Sequence, residues 1–170
     1  ADRIIASALD AGINFIDTAD AYAWGAAEKI VGAAIRAKRR HWILATKVGN
    51  VLTRRPHDGG LSRRWLLAAC DDSLLRLGLD HIDIYYLHRD DPDTPLAETV
   101  NAIGDLVRAG KIRYFGVSNF RGWRLAEIVN EAELQAPQPD MGKVAALPHR
   151  GVIVTSRSDR PGVDFVSRFF

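Results

Sequence analysis

Phe15-Ile16-Asp17-Thr18-Ala19-Asp20-Ala21-Tyr22 runs from apolar side chains into an acid, a turn of small residues and a phenol. Ile13, Phe15 and Ile16 predict a short buried strand. A helical pattern follows at once, from Ala26 to Ala37. A strand that delivers titratable side chains at its C-terminal end and then hands over to a helix is the working unit of an α/β fold. If other strands end in complementary groups, Asp17 and Tyr22 belong to a site.

Upstream, Ile4, Ile5, Ala8 and Leu9 fall at helical spacing, and Gly12 sits where a C-terminal cap belongs. Downstream, Ile30, Val31, Ala34 and Ile35 give the helix after Tyr22 its apolar face, and Lys38-Arg39-Arg40 reads as a solvated helix end. Trp42 to Thr46 is a buried strand that stops at Lys47, followed by an irregular, exposed loop from Val48 to Leu61. Ser62 then caps a helix with Trp65, Leu66, Ala69, Leu74 and Leu77 on its buried face, ended by Gly78. The third strand, His81 to Leu87, stops at His88. After the acidic loop Arg89 to Pro95, the residues Leu96, Val100, Ile103, Leu106 and Val107 mark another helix, closed by Gly110. Ile112 to Val117 is a fourth strand ending in Ser118-Asn119, with a helix from about Gly122 to Asn130 behind it. Strict alternation predicts a parallel sheet with right-handed crossovers, so that every strand tip emerges on one face. Beyond Ala132 the pattern lapses. Pro137 and Pro139 break it, Val152 to Thr155 fits one strand, and Arg157 to Phe170 shows no clear period. The expected division is a βα portion over residues 1–131 and a divergent, irregular tail over 132–170.

A chain of 170 residues with 47% hydrophobic content suits one domain with a packed core. Its formal charge is only +2, and its Lys and Arg are scattered among acids, which argues against a nucleic-acid surface. Cys70 is the only cysteine, so no internal disulfide framework or cysteine zinc site exists, and no metal site is expected. Leu66 and Leu67 mark Cys70 as a small buried hydrophobe. No run approaches the roughly 18 apolar residues of a membrane span, and no signal peptide opens the chain. The default setting is reducing and cytoplasmic. Ala1 already lies inside a helical pattern, so an upstream segment is expected.

The strand tips supply Asp17 with Tyr22, then Lys47, His88, and Ser118-Asn119. Taken singly, each has a bland explanation: a capped turn, a packed ring, a solvated charge, a structural imidazole. Together on one face they support one chemistry. A phenol titrates near 10 and exchanges protons poorly at neutrality, but a neighbouring ammonium stabilises phenolate. A carboxylate keeps the ammonium charged and oriented, and an imidazole across the pocket holds a substrate oxygen. This assembly suits protonation of an alkoxide formed by hydride addition to a carbonyl, with the hydride coming from a cofactor.

Four stretches carry a wider likeness: GINFIDTADAY (Gly12 to Tyr22), ATKVG (Ala45 to Gly49), IDIYYLHRDDPDTP (Ile82 to Pro95) and GKIRYFGVSNF (Gly110 to Phe120). In this order they make the chain resemble the aldo-keto reductase family over roughly residues 1–131. The resemblance implies a (β/α)8 barrel and NADP(H)-dependent interconversion of small-molecule carbonyls and alcohols. It places the family's catalytic tetrad on Asp17, Tyr22, Lys47 and His88, with Tyr22 as general acid/base. It puts Ser118 and Asn119, with Asp17, on the cofactor side, the first two holding the nicotinamide carboxamide. The acidic loop after His88 resembles microbial members related to potassium-channel β subunits.

The likeness is partial. A full barrel takes about 250 residues, and the family's first strand would precede Ala1. Pro137 to Arg150 corresponds distantly to a sixth strand, with Lys143 where the family has a glutamine. Nothing after Gly151 matches the last two strands, and the basic motif for the cofactor's 2′-phosphate has no counterpart. No GxGxxG offers a substitute site. The expectation is therefore a partial (β/α)8 TIM barrel of four to five βα units, from a truncated or frame-altered product whose unpaired sheet edges favour association. The alternatives are an inactive fragment or a non-catalytic regulatory module of the same family. An unrelated doubly wound domain is a third, against which four ordered motifs weigh.

Overall fold

The computed structural model describes residues 1–53, 55, 58–135, 153–157 and 165–169. Helix α1 (Asp2–Asp10) leads into β1 (Phe15–Asp17), followed by α2 (Ala26–Ile35), β2 (Ile43–Val48) and α3 (Arg63–Leu77). Then come β3 (Ile82–Leu87), α4 (Leu96–Arg108), β4 (Ile112–Val117) and α5 (Gly122–Gln135). Short 3-10 turns occupy Tyr22–Gly25 and Arg36–His41.

Strands β1 to β4 form one sheet in sequence order, every pair parallel. The expected alternation is thus present, and each crossover carries a helix. Register keeps the strand tips level, since Val48 pairs with Leu87 and Leu87 with Val117. The backbone ladder continues past the strands. Thr18 N donates to Ala45 O at 2.9 Å, Asp20 N to Lys47 O at 3.1 Å, His88 N to Val48 O at 2.8 Å and Ser118 N to Leu87 O at 2.9 Å. The residues at the four tips are therefore fixed to one another by main chain.

The core lies between the sheet and its helices. Leu44, Ile82, Tyr85, Leu87 and Ile112 from the strands meet Leu66, Cys70, Leu77, Ile103 and Leu106 from α3 and α4. Each fully buried aliphatic side chain contributes roughly 1.5–3 kcal/mol. Helices α2 and α3 approach so closely that a Cβ on Gly32 would sit 2.0 Å from the Leu77 carbonyl oxygen. Only glycine fits there. Ser62 caps α3 as expected, its hydroxyl accepting from Trp65 N at 3.3 Å, and Gly78 ends the helix at φ +64°.

Three expectations change. The first strand begins at Phe15 rather than Ile13, and it is not buried: Ile13 is 56% exposed and Phe15 37%. As an outer strand, β1 pairs only with β2 among the described residues. Arg39, read as part of a solvated helix end, is instead an anchor. Its guanidinium donates to Asp83 at 2.5 Å and to Trp42 O at 2.8 Å. In the tail, β5 (Ile153–Arg157) pairs antiparallel with β6 (Phe165–Phe169), Ile153 opposite Phe169. The second of these strands had no period to announce it. The Pro137 to Arg150 stretch, with Lys143, lies outside the described residues.

Candidate active site

The tips of β1 to β3 bring Asp17, Tyr22, Lys47 and His88 together, and β4 adds Ser118 and Asn119 beside them. Lys47 is the hub. Its side chain is 10% exposed, and its ammonium donates to Asp17 Oδ2, to Thr18 O at 2.9 Å and to Tyr22 OH at 3.2 Å. All three ammonium donors are thereby used. The same nitrogen lies 4.7 Å from the Tyr22 ring centroid. Tyr22 itself is 42% exposed, so its hydroxyl is anchored on one side and accessible on the other.

His88 stands edge-on to Tyr22, with ring centroids 5.8 Å apart and planes at 80°. Burial, then the Lys47 charge, hold its imidazole below the ordinary value of 6.5, so it is neutral at pH 7. Asn50 Nδ2 meets His88 Nδ1 at 3.0 Å. An amide nitrogen only donates, so Nδ1 accepts and the ring proton sits on Nε2. Neutral, and with its tautomer set, His88 offers one N–H to a ligand oxygen. Asn50 was not singled out from sequence. Its signal was thin: a polar residue in the loop three places beyond Lys47.

Asn119 adopts φ +59°, unusual for a residue with a side chain, and its Nδ2 donates to His88 O and to Ser118 Oγ, both at 2.9 Å. That leaves Asn119 Oδ1 as acceptor and the Ser118 hydroxyl as donor, a set that fits a carboxamide. An open cleft of about 690 Å³ adjoins these residues, lined by His88, Asn119, Arg89, Arg121, Trp123 and Arg124 among others.

Behind the tips lies a buried ionic group that the sequence did not reveal. Glu28, with no exposure, accepts from Thr46 Oγ1 and from Arg76 Nε, each at 2.6 Å. Arg76 also donates to Ser73 Oγ at 3.0 Å. Asp20 is 1% exposed, and neither of its carboxyl oxygens has a hydrogen-bond partner among the described residues. Burial, reinforced by the Glu28 charge, pushes the Asp20 carboxyl up to about 7.

The Aldo/keto reductase family model matches residues 1–167. The chain belongs to the aldo-keto reductase family. Among aldo-keto reductases of known structure, it is 40% identical to AKR11C1 from Bacillus halodurans in its holo form, at a TM-score of 0.70. That match covers 77% of this chain and 45% of the other. It is 38% identical to L-glyceraldehyde 3-phosphate reductase of Escherichia coli K12, over 75% of this chain and 40% of that one. A probable voltage-gated potassium channel β subunit of Oryza sativa is 35% identical over 81% of this chain and 43% of its own length. The chain thus spans less than half the length of these relatives. Their barrels identify the four-stranded sheet as part of a (β/α)8 architecture. Among the described residues no helix is long and apolar enough to cross a membrane.

Proposed function

We propose that this chain reduces aldehydes and ketones to alcohols with NADP(H), with Tyr22 donating the proton. The observation that carries this reading is the single ammonium of Lys47, bonded to Asp17 and 3.2 Å from the Tyr22 hydroxyl. As negative charge develops on the phenol oxygen, the ammonium is already in place to stabilise it. Asp17 holds the ammonium aimed at the phenol. The proton passes from Tyr22 OH to the carbonyl oxygen, and His88 Nε2–H holds that oxygen in line. Ser118 and Asn119 are the residues that would hold the cofactor's carboxamide. The chemistry NADP(H) supplies when bound is hydride exchange at the carbonyl carbon. The lone Cys70, buried and with its thiol pushed up to about 12 by burial and the Asp71 charge, suits a reducing, cytoplasmic setting.

The likeness to a probable channel β subunit supports a second reading, a non-catalytic regulatory module. The test is NADPH oxidation with 4-nitrobenzaldehyde. Turnover that Tyr22→Phe abolishes supports the reductase reading. No turnover, despite NADPH binding seen as tryptophan quenching, supports the regulatory one.

A further inference from the structure

The cleft beside His88 is strongly cationic. Among the described residues, Arg89, Arg121 and Arg124 line it against a single acid, Asp90. Arg124 is already committed: its Nε meets Asp90 at 3.1 Å and its Nη1 meets Glu127 at 3.0 Å, and its side chain is only 14% exposed. Arg89 and Arg121 are different. Both are exposed, and neither guanidinium has an ion-pair partner among the described residues. Among the described residues, the only carboxylate in the lining is held by Arg124 and so does not cancel their charge. An unspent guanidinium pair in a concave site is built for the planar oxygens of a phosphate or carboxylate. His88 lines the same cleft, so an anion seated there lies next to the imidazole that would hold a carbonyl oxygen. At about 690 Å³ the cleft takes a small molecule carrying both groups. Trp123, 57% exposed, supplies an apolar wall with the Arg124 guanidinium 5.9 Å from its ring centroid.

We propose that the cleft is an anion subsite, in which Arg89 and Arg121 take the phosphate or carboxylate of an anionic carbonyl substrate. The proposal rests on the reductase reading for the word substrate, but the anion site itself does not. The substrate class it selects is short aldehydes bearing a phosphate or carboxylate, over their neutral counterparts.

Trp123 gives a readout that needs no turnover. The chain is titrated with glycerol 3-phosphate and, separately, with glycerol, following tryptophan fluorescence, and Trp123→Phe identifies the responding ring. The expected result is a saturable response to glycerol 3-phosphate alone, lost in Trp123→Phe and weakened by added salt. Arg89→Ala and Arg121→Ala should each weaken it about tenfold, as for loss of one charge-assisted contact. Equal responses to the two ligands, or binding that survives in the double arginine variant, overturn the proposal. Repeating the titration with saturating NADPH separates the two sources of phosphate. Binding that persists supports a substrate subsite, and displacement assigns the arginines to the cofactor and overturns it. Turnover of neutral aldehydes without phosphate binding defeats the subsite and leaves the reductase reading standing. Phosphate binding without turnover does the reverse.

Discussion

The two ends of the sheet each carry an ion pair that ties a strand to a neighbouring segment, and they differ in what is left over. At the bases, Asp83 at the start of β3 accepts from Arg39 at 2.5 Å and from Leu44 N at 2.9 Å, with Arg113 Nε at 3.5 Å. Both carboxylate oxygens of Asp83 are answered there by another part of the fold. At the tips, Lys47 is also saturated, but its partners are not: Asp17 is 42% exposed, and the Tyr22 hydroxyl is open to a ligand. One pair ties strands together, and the other lends its charge to a side chain that faces outward. Barrel-type folds concentrate chemistry at the tips and stability at the bases for this reason.

Tyr22→Phe is the largest test of that contrast. Removing the hydroxyl should lower kcat for carbonyl reduction about 10²- to 10⁴-fold. A thermal midpoint within about 2 °C of the parent would show that the tip contributes chemistry rather than stability.

Asp20→Asn asks whether the buried acid behind the tips behaves as a structural cost. Its folded pKa is raised to about 7 from an ordinary 3.8, so the folded chain retains a proton that the unfolded chain has released. Stability is therefore full below about pH 4, and is lost as pH rises through about 7. Asparagine has no proton to lose. Its stability relative to the parent should grow by roughly 4 kcal/mol between about pH 4 and pH 9, in urea melts at the two pH values. A flat difference would mean that Asp20 finds a partner in solution.

Arg39→Ala breaks the base pair instead. Both partners keep some solvent contact, which reduces the penalty for a broken buried pair to about 2 kcal/mol. The kcat should not move. A parallel fall in kcat would erase the distinction between the two ends.

Asn50→Ala is the smallest effect, about fivefold in kcat, for loss of one hydrogen bond to the imidazole. Nitrogen NMR should show the His88 proton no longer confined to Nε2. In the parent, the acid limb of the rate profile should fall below the ordinary imidazole value, because burial and Lys47 depress His88.

Much of this was legible in the chain because strand tips are local features. Ile112 to Val117 was predicted to the residue, since Ile112, Tyr114, Phe115 and Val117 lead straight to the polar Ser118-Asn119. Asp17, Tyr22, Lys47 and His88 each close a strand or the turn after it, and a parallel sheet needs no further information to bring them together. The Glu28–Arg76 pair was not legible. It depends on how deeply α2 settles against α3, which Gly32 decides through a contact 45 residues away in sequence with Leu77. Arg39 was misread for the same reason: its partner Asp83 lies a whole βα unit downstream, where no local pattern reaches.

The peptide bonds that stitch Thr18, Asp20, His88 and Ser118 to the neighbouring strands make the spacing of the strand tips a property of the polypeptide scaffold, independent of what each position bears. Exchanging one functional group for another at these points should leave the spacing intact. Such a rack invites redesign: new reactivity can be mounted on it by substitution alone, with no need to rebuild the frame.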